Sequence, residues 1–276
     1  MVRRFVAGES IADAVKAARA VNQAGCLASL DCLGESVSTE SEARAAAAVY
    51  GSMFDRIASE QLNCNVSLKL TQVGLDISQP LCESLLEEII ARAVAHRNFI
   101  RIDMEGSAYT ERTINICKRI QAKTDAVGTV LQSYLYRTEK DARDLTAAGV
   151  RLRLVKGAYK EPPDIAFAQK SDVDANYVRV MKILLTSGLY HGIATHDPLM
   201  HQATKEFAAE QGIRNDQFEF QMLYGIRTDL QQQLIREGYR LRVYIPYGTD
   251  WFPYFMRRLA ERPANLKFFV SNLFRG

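Results

Sequence analysis

The chain has 276 residues, 47% apolar and 24% charged, with a formal net charge of +3. That is a soluble-globular composition with enough apolar material for a large core, and without a basic arm or a run of like charges it gives nucleic-acid binding no electrostatic support. The charged start MVRRFVAGES is followed by no apolar run, and no stretch approaches the ~20 residues of a membrane span, so neither a secretory signal nor a transmembrane helix is expected. Cys26, Cys32, Cys64, Cys82 and Cys117 form no CxxC pair. They read as reduced packing thiols of a cytoplasmic protein.

In chain order, the residues before about Cys26 read as a lead-in helix. Apolar, β-branched runs then alternate with helical patterns. The predicted strands are CLASLDCL, CNVSLKLT, FIRIDME, AVGTVLQ, VRLRLV, LYHGIAT, QFEFQML and YRLRVYI. In the helical stretch PLCESLLEEIIARAVAH, Leu81, Leu85, Leu86, Ile89, Ile90 and Ala93 recur at helical spacing, with Pro80 in the first turn. Gly149, Gly188, Gly212 and Gly238 stand where a helix should stop before the next strand. The least regular connection, Gly157 to Asp172, follows the fifth strand. Strand–helix alternation repeated eight times is the pattern of an α/β protein with a (βα)8 barrel. The whole of residues 1–276 reads as one such domain with a short N-terminal helical lead-in.

In a barrel, chemistry comes from the C-terminal strand ends. Six predicted strands carry polar groups there: Lys69, Asp103, Gln132, Arg153 with Lys156, Thr195 with His196, and Tyr244. Each alone has an ordinary structural explanation. Six converging on one face is a different matter, because buried isolated charges are costly unless they pair or meet a ligand. On the last helix, Tyr254, Arg257, Arg258 and Glu261 share one side. The spacing leaves two readings open, a surface ion pair of Arg257 with Glu261 or a fork gripping a carboxylate or phosphate. No GxGxxG and no phosphate-cradling loop occurs. His191, His196 and His201 lie five apart, a spacing that suits no metal site. A Schiff-base lysine, Lys69 or Lys156, remains a competing chemistry, as does a silent amino-acid-binding barrel.

Together VSLKLTQVGLDIS, IRIDME, RLRLVKGAYKEP, ATHD and YIPYGTDWFPYFMRRLAER resemble the proline dehydrogenase family, in order and over nearly all of the chain from about Asn65. The resemblance is closest to the monofunctional bacterial members. It implies a distorted (βα)8 TIM barrel with the last helix over the mouth, which binds FAD without a Rossmann fold. It further implies oxidation of L-proline to Δ1-pyrroline-5-carboxylate and delivery of the electrons to a quinone at the inner membrane. By the family pattern Arg257 and Arg258 clamp the proline carboxylate, Lys69 is a third cation paired to Asp103, and Leu154, Tyr244 and Tyr254 wall the ring. The flavin would meet Met104, Gln132, Arg153, Lys156, Gly157, Ala158, Thr195 and His196, with Glu261 on the cofactor side. Asp103 and Arg153 are the residues implied in catalysis. Whether Asp103 itself takes a proton, and the oligomeric state, stay open.

Overall fold

The computed structural model describes residues 4–260, apart from the side chains at 257, 259 and 260. The chain enters through α1 (Ile11–Gln23) and then alternates strictly. β1 (Leu27–Cys32) leads to α2 (Glu40–Ser59), β2 (Cys64–Leu68) to α3 (Gln79–Ala95), β3 (Ile100–Ile102) to α4 (Ser107–Gln121), and β4 (Val127–Gln132) to α5 (Thr138–Ala147). The second half runs β5 (Arg151–Val155), α6 (Lys170–Thr186), β6 (His191–Ala194), α7 (Pro198–Glu210), β7 (Phe218–Leu223), α8 (Thr228–Arg236), β8 (Leu241–Tyr247) and α9 (Trp251–Ala260). The eight strands close in sequence order, all parallel, with β8 pairing β1.

Local chemistry explains the segment ends. Ser10 with Asp13 and Thr39 with Glu42 make capping boxes on α1 and α2, satisfying orphan N–H groups at each start. Pro80 occupies the first turn of α3. The four predicted helix-stop glycines all have φ between +66° and +81°, which L side chains rarely adopt.

α1 packs against both β1 and β8. It thereby covers the flank where a helix following β8 would otherwise lie. α9 instead buries Tyr254 and Phe255 in a cluster with Phe5, Val6 and Leu33, the Phe5 and Phe255 rings 6.3 Å apart. Tyr254 and Arg258 consequently reach the cavity at the C-terminal strand ends. The last helix crosses the mouth.

Register decides which side chains fill the barrel. Ser67 on β2 pairs Arg101 on β3, Arg101 pairs Gly128 on β4, and Gly128 pairs Arg151 on β5. Further along, Val130 pairs Arg153, which pairs Gly192 on β6, which pairs Glu219 on β7. Barrel interiors are ordinarily layers of Val, Ile and Leu. Here Arg101, Asp103, Arg153, Glu219 and Gln221 are instead all buried. Glycine makes the room, since a Cβ at Gly192 would lie 2.3 Å from Gln221 Nε2. The apolar core lies outside the barrel, between strands and helices, around Tyr50, Phe54, Leu86, Tyr177 and Phe220.

None of the five cysteines is disulfide-bonded, and burial pushes the Cys64, Cys82 and Cys117 thiols up to about 12. Among the described residues no helix is long and apolar enough to cross a membrane.

Two buried histidines make stability pH-dependent. Burial lowers His191 to about 3 and His201 to about 4. His191 Nδ1 accepts from Leu152 N–H at 2.9 Å, and His201 Nε2 lies 2.9 Å from the Thr195 carbonyl. The unfolded chain binds protons at these positions below about pH 6.5 while the native state does not. The stability their neutral forms confer is therefore present above about 6.5 and is lost as pH falls through the folded values. Urea denaturation between pH 7 and 4.5 should show this decline, and His201→Gln should flatten it; an unchanged slope would mean His201 does not contribute.

Candidate active site

The C-terminal strand ends open into a cavity of about 690 Å³, within the size range of small-molecule sites. It gathers Lys69, Asp103, Met104, Gln132, Arg153, Lys156, Gly157, Ala158, Thr195, His196, Tyr244, Tyr254 and Arg258. Every residue expected at the site and described thus lines this one cavity, with a single exception. Leu154 is fully buried and does not line the cavity. Alternation along β5 sends Arg153 and Val155 inward and Leu154 outward against the helices. The Arg257 side chain and Glu261 lie outside the described residues.

Arg153, only 5% exposed, is held on three sides. Its Nη1 donates to Asp103 Oδ1 at 2.6 Å, Nη2 to Ser67 Oγ at 3.0 Å and Nε to Gln221 Oε1 at 2.5 Å. Gln221 Nε2 in turn donates to Glu219 Oε1 at 2.5 Å, and Arg242 grips both oxygens of Glu219 at 2.7 and 3.0 Å. The Tyr244 hydroxyl donates to Asp103 Oδ2 at 2.8 Å. Burial first, then the carboxylates Asp103 and Asp31, raises the Tyr244 pKa far above its ordinary value, so it stays a donor. Both Asp103 oxygens are therefore engaged, one by a fixed cation and one by a phenol.

The expected pairing of Lys69 with Asp103 is corrected by this geometry. Asp103 is taken by Arg153 and Tyr244, and Lys69 Nζ forms its ion pair with Asp31, 3.5 Å away. Asp31 comes from the neighbouring strand end, a proximity that depends on register. It has no solvent exposure, and Lys69 and the Tyr244 hydroxyl lie near its carboxylate without a well-formed hydrogen bond to either oxygen among the described residues. Burial raises its pKa despite Lys69. For Lys69 burial works against the charge, but Asp31 and Asp103 outweigh it and raise its pKa.

On the opposite wall Lys156 Nζ is shared between Asp174 at 2.5 Å and Asp197 at 2.6 Å. His196 Nε2 accepts from Leu223 N–H at 2.9 Å, and Thr195 Oγ1 accepts from Asp197 N–H at 3.1 Å. The connection after β5 is tied down by Glu161, which accepts from Ser107 N–H at 2.7 Å and Ser107 Oγ at 2.6 Å. Within it Gly157 has φ +129°, and a Cβ there would lie 2.2 Å from the Tyr134 ring. Gly157→Ala should cost about 1–3 kcal/mol through backbone strain alone. A thermal denaturation midpoint several degrees lower is expected; an unchanged one would mean that the ring gives way freely.

Sequence reasoning missed Asp31, Tyr159, Asp197, Gln221 and Arg227 of the cavity wall. Asp31 and Gln221 carried the same signal as Asp103, a polar residue inside an apolar strand. Asp174 lies on a helix, where an acidic residue is unremarkable.

The wall suits a flavin and a small amphoteric substrate. Gln132 is 2% exposed and commits Nε2 to the Glu105 carbonyl at 3.0 Å, which leaves its Oε1 for a ring N–H. Lys69, Arg153, Lys156, Lys170, Arg227 and Arg258 line the cavity together with three carboxylates, Asp31, Asp103 and Asp197, a balance suited to phosphate and carboxylate groups.

A closed parallel barrel with this polar cavity at its C-terminal face defines a (βα)8-barrel enzyme of small-molecule metabolism. The family model for proline dehydrogenase matches residues 14–271. Proline dehydrogenase 1 of Bacillus subtilis is 45% identical over 271 residues, 98% of this chain and 90% of that protein. Proline dehydrogenase of Deinococcus radiodurans is 41% identical over 281 residues, 100% of this chain and 91% of that protein. Among solved structures, proline utilization A from Bdellovibrio bacteriovorus, inactivated by N-propargylglycine, superposes with a TM-score of 0.88 at 24% identity, over 94% of this chain and 32% of that one. The chain belongs to the proline dehydrogenase family. It is an oxidoreductase of proline catabolism and a flavoprotein.

Proposed function

We propose that this barrel binds FAD and oxidises L-proline to Δ1-pyrroline-5-carboxylate, with residues 1–276 acting as one domain. The observation that carries the reading is the Asp103–Arg153–Tyr244 cluster, which lines one cavity together with Lys69 and Arg258. When bound, FAD would supply a hydride acceptor at its N5 atom, and a membrane quinone would take up the electrons.

Met104, Gln132, Arg153, Lys156, Gly157, Ala158, Thr195 and His196 would hold that cofactor. Arg153 offers a fixed positive charge that favours negative charge accumulating on the reduced ring system. Arg258 takes the substrate carboxylate, with Arg257 next to it in sequence and Lys69 as a further cation. Tyr244 and Tyr254 enclose the pyrrolidine ring; the Tyr244 phenol, locked to Asp103, leaves little room for a hydroxylated ring. Fixing both ends of the substrate is the source of orientation, worth about 7–11 kcal/mol of barrier at best.

The substrate amine must be neutral before it can lose hydride. With both oxygens of Asp103 engaged, its role is to hold Arg153 and Tyr244. Asp31, whose proton affinity burial has raised, is the carboxylate suited to accept the proton, while Lys69 beside it stays a cation.

Purified holoprotein given L-proline and a soluble quinone analogue should form Δ1-pyrroline-5-carboxylate in proportion to quinone reduced. Absence of that product, or covalent trapping of a carbonyl substrate by borohydride at Lys69 or Lys156, would replace this reading with the Schiff-base one.

A further inference from the structure

A second cavity, about 640 Å³, opens at the N-terminal end of the barrel, and no residue lines both cavities. Its wall carries Arg101, Arg151 and Arg242 with Phe99, Tyr190 and Glu219. Among the described residues Glu219 is the one buried carboxylate in that wall, and it already accepts from Arg242 twice, from Gln221 and from Tyr190. It has little capacity left for the other two guanidiniums.

Those two pack on one ring. The Cζ atoms of Arg101 and Arg151 lie 4.8 and 4.0 Å from the same Phe99 ring centroid. Arg101 is 4% exposed and donates Nη1 to the Thr129 and Arg151 carbonyls at 3.0 and 2.5 Å, while its buried Nε has no acceptor among the described residues. Arg151 donates Nη2 to the Asp125 carbonyl at 2.6 Å. At the rim the exposed Arg97 and Asp125 offset each other in charge, and His96 is tied to Asp55 at 2.8 Å. Burial, with Arg153 next and then Arg151 and Arg242, pulls Arg101 down to about 9 even though Glu219 opposes it. The wall thus holds an excess of two positive charges with guanidinium N–H groups unspent.

We propose that this end of the barrel is a binding site for a small dianionic oxyanion, a phosphomonoester or a dicarboxylate, held by Arg101 and Arg151. Guanidinium forks match both headgroups in bidentate fashion. The volume exceeds that of a bare phosphate ion, and Ile57, Leu62 and Val94 in the wall offer apolar surface to a short carbon chain.

The test is calorimetric titration of the FAD-loaded protein with inorganic phosphate and with succinate, against chloride at matched ionic strength. Saturable binding is expected for at least one. Arg151→Gln should weaken it at least tenfold while proline oxidation persists, and Arg258→Gln, at the opposite end, should leave it unchanged. If Arg151→Gln fails to fold, wild-type protein crystallised with the bound anion gives the same answer by location. No saturable binding, or binding lost in Arg258→Gln and retained in Arg151→Gln, overturns the proposal.

Discussion

Arg153→Met is expected to lower stability by about 3–5 kcal/mol, because removing one partner of a buried ion pair leaves the other charge uncompensated. Arg153 is 5% exposed and its three donors reach Asp103, Ser67 and Gln221. Methionine fills most of the volume but leaves the Asp103 carboxylate with Tyr244 as its sole hydrogen-bond partner among the described residues. The same variant should abolish flavin reduction by proline, since it would remove the fixed charge that the proposed function sets beside the reacting ring. Asp103→Asn retains an acceptor for Arg153 and should cost less. Urea denaturation at constant m-value reads the stability, and a loss below about 1 kcal/mol for Arg153→Met would show that the network adds little.

Arg258→Ala should act on substrate rather than on the fold. The side chain is half-buried on α9, its Cζ 5.3 Å from the Tyr254 ring centroid, and it lines the cavity. Losing a charge-assisted bond to a carboxylate costs about 1.5–3 kcal/mol, which is roughly a ten- to 150-fold rise in the proline KM. A KM effect with kcat nearly constant would mark an interaction made equally in ground and transition states. Unchanged proline kinetics would remove Arg258 from the substrate clamp.

The barrel was legible because strands buried on both faces read as continuous apolar, β-branched runs, and glycines mark the helix ends between them. Strand-end polar residues were legible for the same reason, since Lys69 and Asp103 stand out in apolar surroundings. Pairing between strands was not. That Lys69 meets Asp31 while Asp103 meets Arg153 depends on barrel register and side-chain reach, which no local pattern encodes. Leu154 is different: the period of two that turns Arg153 inward turns its neighbour outward, so its place on the outer face could have been read from β5 alone. The two carboxylates on Lys156 come from a helix and a helix cap, Asp174 and Asp197, where acidic residues attract no notice. The polar interior below the site went unremarked, although Arg101, Glu219 and Arg242 are charged residues within apolar strands.

The most direct test of the central claim is the absorption spectrum of the purified protein before and after anaerobic addition of L-proline. Flavin bands that bleach on addition are predicted, reporting cofactor, substrate and direction of electron flow together. A protein that stays colourless when FAD is supplied, or flavin bands that proline leaves unchanged, would contradict the account.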